Sequence, residues 1–211
     1  MTKKRSTPIV IYSAIFLLDR LISPISWILF PFKLVTRLFE ILLQMIWLLS
    51  NEYTKRSLGS CGTGVRIYGR FQVSSPKNLH VGDNVHINSN AFIRAEGGLT
   101  IGDNTHISRN VVIYTMNHNY EGTKLPYDEV KVLKSVEISR NVWIGMNVTI
   151  IPGVKIGEGA IIGMGTTVSK DIPPLAIIGN IPTRIIKKRN QEHYLMLEDS
   201  KAYGGVSGYD R

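Results

Sequence analysis

The strongest constraint on this chain is a period of six. From Ile138 onward, six consecutive hexads open with Ile or Val, at 138, 144, 150, 156, 162 and 168. Their fifth positions are Val142, Val148, Val154, Ala160, Thr166 and Ile172, none aromatic or charged. The frame recurs earlier, from Val81, Ile87, Ile101, Ile107 and Ile113, with two residues inserted between Ile93 and Ile101. A step of six matches neither the 3.6-residue helix nor the two-residue strand alternation. It matches a prism, in which each hexad makes one short strand and one turn. One aliphatic side chain points inward, a small residue sits near the corner, and Gly or Asn in the turn tolerates positive φ. Three hexads then close a coil of about 18 residues, and stacked coils bury a continuous apolar column. A β-sandwich would need strands and turns at wider spacing.

Composition changes sharply before this region. Residues 9–49 are strongly apolar, yet Asp19, Arg20, Lys33, Arg37 and Glu40 interrupt the run, and Pro24 and Pro31 are expected to break helices. A simple transmembrane span is therefore not expected. In the second half, Lys33, Thr36, Arg37, Glu40 and Gln44 recur at steps of three and four, one polar stripe against a broad apolar remainder. That pattern fits a helix lying in a membrane interface, with Trp27 and Trp47 at headgroup depth. A helical hairpin packed against the main domain or another subunit is the alternative. No small-residue cleavage site follows Leu18, so a removed signal peptide is not expected. The expected organisation is a helical, membrane-associated segment at 1–58, a repeat domain at 59–186, and a basic, then polar, mobile tail at 187–211.

The formal charge of +9 calls for an anionic partner, which includes nucleic acid, a membrane surface or a phosphorylated ligand. The lone cysteine, Cys61, rules out an internal disulfide framework. It stands in a Gly/Ser-rich turn, where a small residue suffices.

The frame breaks between Ile113 and Ile138, and residues 117–135 form a loop extruded from the solenoid. Of five histidines, His80, His86 and His106 fall at the sixth hexad position and should face outward; His193 is in the tail. His118 differs, because it stands where the repeat stops and the loop begins. After the loop comes Asn141-Val142-Trp143-Ile144-Gly145.

These hexads resemble the hexapeptide-repeat family over about residues 60–190. The resemblance implies a left-handed parallel β-helix, although the general crossover rule favours the other hand. His118 and the Asn-Val-Trp-Ile-Gly sequence at 141–145 resemble the galactoside, maltose and xenobiotic acetyltransferase branch, where a loop histidine is the catalytic base. This second resemblance implies an acetyl-CoA-dependent O-acetyltransferase acting on a sugar hydroxyl. It also implies a homotrimer with active sites between subunits. Asn88 matches an asparagine that supports the reaction or contacts the acceptor, while Asn90 stands where those relatives often carry Asp. Trp143 is expected on the outer surface, beside the thioester or packed between subunits. Backbone N–H groups of Gly145 and Met146 are candidates for the oxyanion. Coenzyme contacts are implied at Met146, Met164, Ser169, Lys170, Arg184 and Lys187, the cations meeting phosphate. Gly179 and Pro182 are one residue further apart than the usual closing pattern.

The membrane segment places the expected acceptor in a cell-surface polysaccharide or its lipid-linked precursor, at the cytoplasmic face of the membrane. A sugar-nucleotide N-acetyltransferase is the alternative enzyme. A zinc enzyme like the γ-type carbonic anhydrases would need three convergent histidines. His86 and His106 could stack, but His118 lacks a close second ligand, so no metal is expected. An intact motif argues against a non-catalytic scaffold. The position of the basic residues, beside a coenzyme-type terminus and a membrane segment, argues against nucleic acid as partner.

Overall fold

The computed structural model describes residues 9–121, 123, 126–179, 184–188 and 190–201, with the side chains of 9–31, 184, 186 and 187 left aside. Residues up to Ile46 form one compact unit and those from Trp47 a second.

Helix α1 spans Ile9–Ser57 without a break. It continues through Pro24 and Pro31, where an interruption was expected. Proline forfeits one N–H and crowds the carbonyl four residues back, but its φ is helical, so a long helix can absorb it. Phe32, Val35, Leu38, Phe39, Leu42 and Ile46 are all exposed. Among the described residues no helix is long and apolar enough to cross a membrane.

In the second unit the described backbone forms a parallel β-solenoid with three walls. The first wall stacks Ser60–Cys61, Leu79–Val81, Leu99–Ile101, Val136–Ile138 and Lys155–Ile156. The second stacks Arg66–Ile67, His86–Ile87, His106–Ile107, Trp143–Ile144, Ile161–Ile162 and Ala176–Gly179, closed by antiparallel Arg184–Lys188. The third stacks Phe71–Ser74, Ala91–Arg94, Val112–Tyr114, Thr149–Ile150 and Thr167–Val168. Both repeat positions read from the sequence point inward. Ile138, Ile144, Ile150, Ile156, Ile162 and Val168 are buried, and so are Val142, Val148, Val154, Ala160, Thr166 and Ile172. Burying each such aliphatic side chain stabilises the coil by about 1.5–3 kcal/mol.

Corners are turned by left-handed residues. Asn84, Asn104 and Asn141 hold φ of 51, 56 and 61°, and Gly159 takes the same place one coil later at 67°. Their side chains form a ladder, Asn84 to Asn104 at 3.0 Å and Asn104 to Asn141 at 3.1 Å. A second ladder runs Asn90–Asn110–Asn147. The polar turn residue thus tolerates positive φ and also ties each coil to the next.

The coil repeat is not uniform. His86 pairs with His106, a step of 20, whereas Trp143 pairs with Ile161, a step of 18. The extra residues lie at the corner between the third and first walls, where a 3₁₀ turn at Pro76–Asn78 and the Gly97-Gly98 pair sit. The extruded loop leaves from this same corner. It is a ribbon rather than featureless chain, because Met116–His118 pairs antiparallel with Lys131–Leu133.

The C-terminal segment, expected to be mobile, contains helix α2 at Gln191–Asp199. Asn190 caps it by accepting from the His193 amide at 2.9 Å. Tyr194 is buried and ties the helix to the solenoid.

Candidate active site

The loop is anchored before it carries anything. The buried Thr115 hydroxyl donates to the Arg94 carbonyl at 2.7 Å and accepts from the Gly97 amide at 2.8 Å. The chain crosses so closely that a side chain at Gly97 would run into the Thr115 carbonyl. Further out, Asp128 is buried and accepts from Asn119 Nδ2 at 3.1 Å, Thr123 N at 3.3 Å and Val130 N at 2.9 Å. One carboxylate therefore holds both arms of the loop. Its role was not legible beforehand, since an acidic residue in a charged loop reads as solvated until the fold buries it.

His118 ends the outgoing strand of this ribbon and is half-buried. Its backbone amide donates to Asn117 Oδ1 at 2.9 Å. The imidazole lies against the ring of Tyr127, centroids 3.9 Å apart and planes 19° from parallel. It borders an open cleft of about 360 Å³, whose walls include Asn117, Tyr120, Lys134, Ile151 and Pro152. Ser169 and Lys170 follow the third-wall strand Thr167–Val168, and so stand at this same third-to-first corner, both exposed.

The remaining expected site residues lie elsewhere. Asn88, Gly145, Met146 and Met164 follow second-wall strands and stack along the second-to-third corner. Trp143 is on the second wall in register with His106 and Ile161, and is 55% exposed, as expected of an outer-surface position. Arg184 and Lys187 pair with Gly179 and Ile177 at the end of that wall. Their side chains, and residues 180–183 of the closing motif, lie outside the described residues. Within one chain, then, His118 is not brought together with Asn88, Trp143 or Met146.

One expectation at the second corner is revised. The Gly145 N–H donates to the Ile162 carbonyl at 2.8 Å, continuing the ladder beyond its two-residue strand. It is therefore spent and cannot serve an oxyanion, which leaves Met146 of the two candidate donors. Glycine at 145 is required by stacking: a Cβ there would meet Ile162 O and Met164 N, each at 2.8 Å. Asn88 donates from Nδ2 to Ile107 O at 3.0 Å, which fixes its side chain at this corner.

The outward column of this corner, Asn88, Ser108, Gly145 and Gly163, shrinks to glycine towards the C-terminal coils. Exposed Met146 and Met164 flank its glycines. A narrow, apolar-edged strip suits the pantetheine arm of a coenzyme; exposed Lys170 stands at the third-to-first corner instead, where it offers charge for phosphate. The residues present fit an acyl-CoA.

His86 departs from its expected exposure. It faces outward, but its ring stacks on His106 at 4.3 Å and 7° and meets Tyr68 edge-on at 6.2 Å. Only 8% of it is exposed, and its Nε2 has no hydrogen-bond partner. Burial, then the neighbouring His106 and Arg66, push its pKa down to about 4. Face-to-face rings aim their nitrogen lone pairs side by side rather than at a common point. Among the described residues no group of three or more His, Cys, Asp or Glu could hold a metal ion.

Comparison with known proteins agrees with this architecture. Residues 135–170 match the bacterial transferase hexapeptide (six repeats) model, and 79–115 match the hexapeptide repeat of succinyl-transferase. A maltose O-acetyltransferase from Clostridium difficile 630 is 32% identical, covering 75% of this chain and 84% of its own, with a TM-score of 0.64. A galactoside acetyltransferase solved with coenzyme A is 30% identical, covering 68% of this chain and 72% of its own, at 0.59. A hexapeptide-repeat acetyltransferase from Vibrio cholerae, complexed with acetyl-CoA, is 26% identical, covering 65% and 75%, at 0.58. With repeat and solenoid in agreement with these relatives, the chain belongs to the hexapeptide-repeat acyltransferase family.

Proposed function

We propose that this acyltransferase moves an acetyl group from acetyl-CoA to a saccharide hydroxyl, with His118 as general base. Acetyl-CoA supplies an acyl thioester already activated for attack. An alcohol is a poor nucleophile while it keeps its proton. The neutral His118 imidazole takes that proton as the oxygen bonds to the acyl carbon. The Met146 N–H, which donates to no group among the described residues, is offered to the developing oxyanion. The C–S bond then breaks, and the imidazolium returns its proton to the thiolate. The products are an O-acetyl ester and the free thiol.

The observation that carries this reading is the split between corners. His118 with Ser169 and Lys170 occupies one corner, and Asn88, Met146 and Met164 occupy another, with Trp143 on the adjoining wall. A second copy of the chain presenting its second wall to the His118 loop would unite them, which supports a homotrimer with sites between subunits. The exposed apolar face of α1 supports work at a membrane, on a cell-surface polysaccharide or its lipid-linked precursor at the cytoplasmic face.

The test is acetyl-CoA turnover on candidate glycans, with products read by mass spectrometry. His118→Ala should reduce turnover by about 10²–10⁴-fold. The added acetyl should be lost in mild alkali, as an ester is; an alkali-resistant acetyl would mean an amide and an amino-sugar acceptor. Mixed assemblies of His118→Ala with Asn88→Ala chains should recover part of the activity that neither has alone. Full activity in His118→Ala would overturn the assignment.

A further inference from the structure

We infer that Tyr127 is a positioning residue that holds the His118 imidazole by its face; the inference rests on His118 being the base. The two residues lie nine apart, on opposite arms of the loop, and meet only because the loop folds back. Three features bring them together. Asn119 N donates to Val130 O at 3.1 Å, and Asp128 N to Asn119 O at 3.2 Å, closing the ribbon above His118. Tyr127 itself is flanked by Pro126, with its fixed φ, and by buried Asp128.

The exposure of Tyr127 argues for a role on His118 rather than in loop packing. An aromatic ring that stabilised the loop as a core would be buried, yet Tyr127 is 45% exposed. The part that is covered includes the face shared with His118. A histidine on an exposed loop turns freely about two side-chain bonds. A ring stacked at 3.9 Å limits it to rotation within its own plane. The ring is then held in one orientation beside the cleft that His118 lines. When the imidazole takes the substrate's proton, the same contact becomes cation on π face, which is more favourable than the neutral stack. The stack therefore favours the charged state that forms during transfer. The phenol oxygen is not needed for this, so phenylalanine should replace tyrosine and alanine should not.

Two measurements on the full-length protein test the inference. In the first, acetyl-CoA turnover is followed with maltose and a galactoside as acceptors. Tyr127→Ala should lower kcat by roughly 3- to 30-fold, with KM for acetyl-CoA within twofold of the parent. Tyr127→Phe should restore kcat to within twofold. In the second, which needs no acceptor, carbethoxylation of His118 by diethyl pyrocarbonate is timed by peptide mass. Tyr127→Ala should speed it several-fold, and Tyr127→Phe should not. Unchanged labelling and kcat in Tyr127→Ala, or a Tyr127→Phe variant as impaired as alanine, would overturn the inference. Should His118→Ala keep full turnover, the base assignment falls, while the labelling rates still decide whether the stack exists.

Discussion

Asn141 donates through Nδ2 to the phenol oxygen of Tyr194, 2.7 Å away, so the last rung of an asparagine ladder ends on helix α2. The same amide reaches Glu198 Oε2 at 2.6 Å, and the Tyr194 hydroxyl donates to Glu158 Oε1 at 2.6 Å. Arg140 adds ion pairs to Glu158 and Glu198, each 3.1 Å. Burial, then the bond to Glu158, push the Tyr194 phenol up to about 12. Burial alone would raise the Glu158 carboxyl, but hydrogen bonds from Arg140 and Tyr194 outweigh it and hold the group below the usual range. Tyr194→Phe keeps the ring and removes both hydrogen bonds of the phenol, while Asn141 keeps Glu198 and Glu158 keeps Arg140. It should cost about 1–3 kcal/mol, read as a lower Tm and as faster amide exchange across 190–201. An unchanged Tm with unchanged exchange would mean that α2 docks through apolar contacts alone.

The second ladder separates two jobs that asparagine performs at once. Asn110 holds φ at 59° and links Asn90 to Asn147. Asn110→Gly keeps the backbone relaxed and removes the links, costing about 1 kcal/mol. Asn110→Ala removes the links and adds the left-handed penalty of about 1–2 kcal/mol. Chemical denaturation should rank the stabilities Asn, then Gly, then Ala. If alanine matched glycine, the left-handed turn would have relaxed.

Inward positions were readable in the sequence because one physical rule fixes them. Every six residues the chain returns to the axis, so Ile144 and Val148 must be aliphatic wherever the coil repeats. The loop's place was readable for the same reason, as a gap in the period. Its internal order was not. Asp128 reveals its role only through three bonds to residues up to nine positions away. The stack of Tyr127 on His118 depends on the same folding back. His86 illustrates a different limit. Position in the hexad correctly faces it outward, but its burial comes from Tyr68 and His106 in neighbouring coils. Gly145 shows how a motif can mislead: its glycine and its N–H are both consumed by stacking. The helix through Pro24 and Pro31 reflects the weakness of a local breaker within a helix of 49 residues.

His86 makes stability depend on pH. Its folded pKa, about 4, lies below the unfolded value near 6.5. Between those values the unfolded chain binds the proton and the folded chain does not. Stability from this group is therefore complete above about pH 6.5 and is lost as pH falls towards 4. Allowing for solvent screening at the wall surface, the loss should be roughly 1–2 kcal/mol. His86→Phe retains a ring against His106 and removes the titration. Subtracting its denaturation free energies from those of the parent, pH by pH, cancels the carboxylates common to both. A difference flat from pH 7 to 4 would show that His86 titrates as it does in the unfolded chain.

The loop keeps His118 in place through one carboxylate. Asp128 Oδ2 accepts from Asn119 Nδ2 and Thr123 N, while Oδ1 accepts from Val130 N. Asp128→Asn preserves shape and one carbonyl oxygen. If that oxygen stays on Val130, an amide NH₂ faces two donors and those contacts are lost. Asp128→Ala loses all three, at about 1–3 kcal/mol for the donors left without partners. That cost is local, because the solenoid core lies beneath Thr115 and is untouched by it. The global Tm should therefore move little, while limited proteolysis should cut between 119 and 130 in the alanine variant. Turnover should fall in order, parent above Asp128→Asn above Asp128→Ala, in parallel with cleavage. A drop in turnover with no new cleavage would point instead to the carboxylate acting directly on the reaction. A Tm falling in step with activity would show that the loop and the solenoid unfold as one unit.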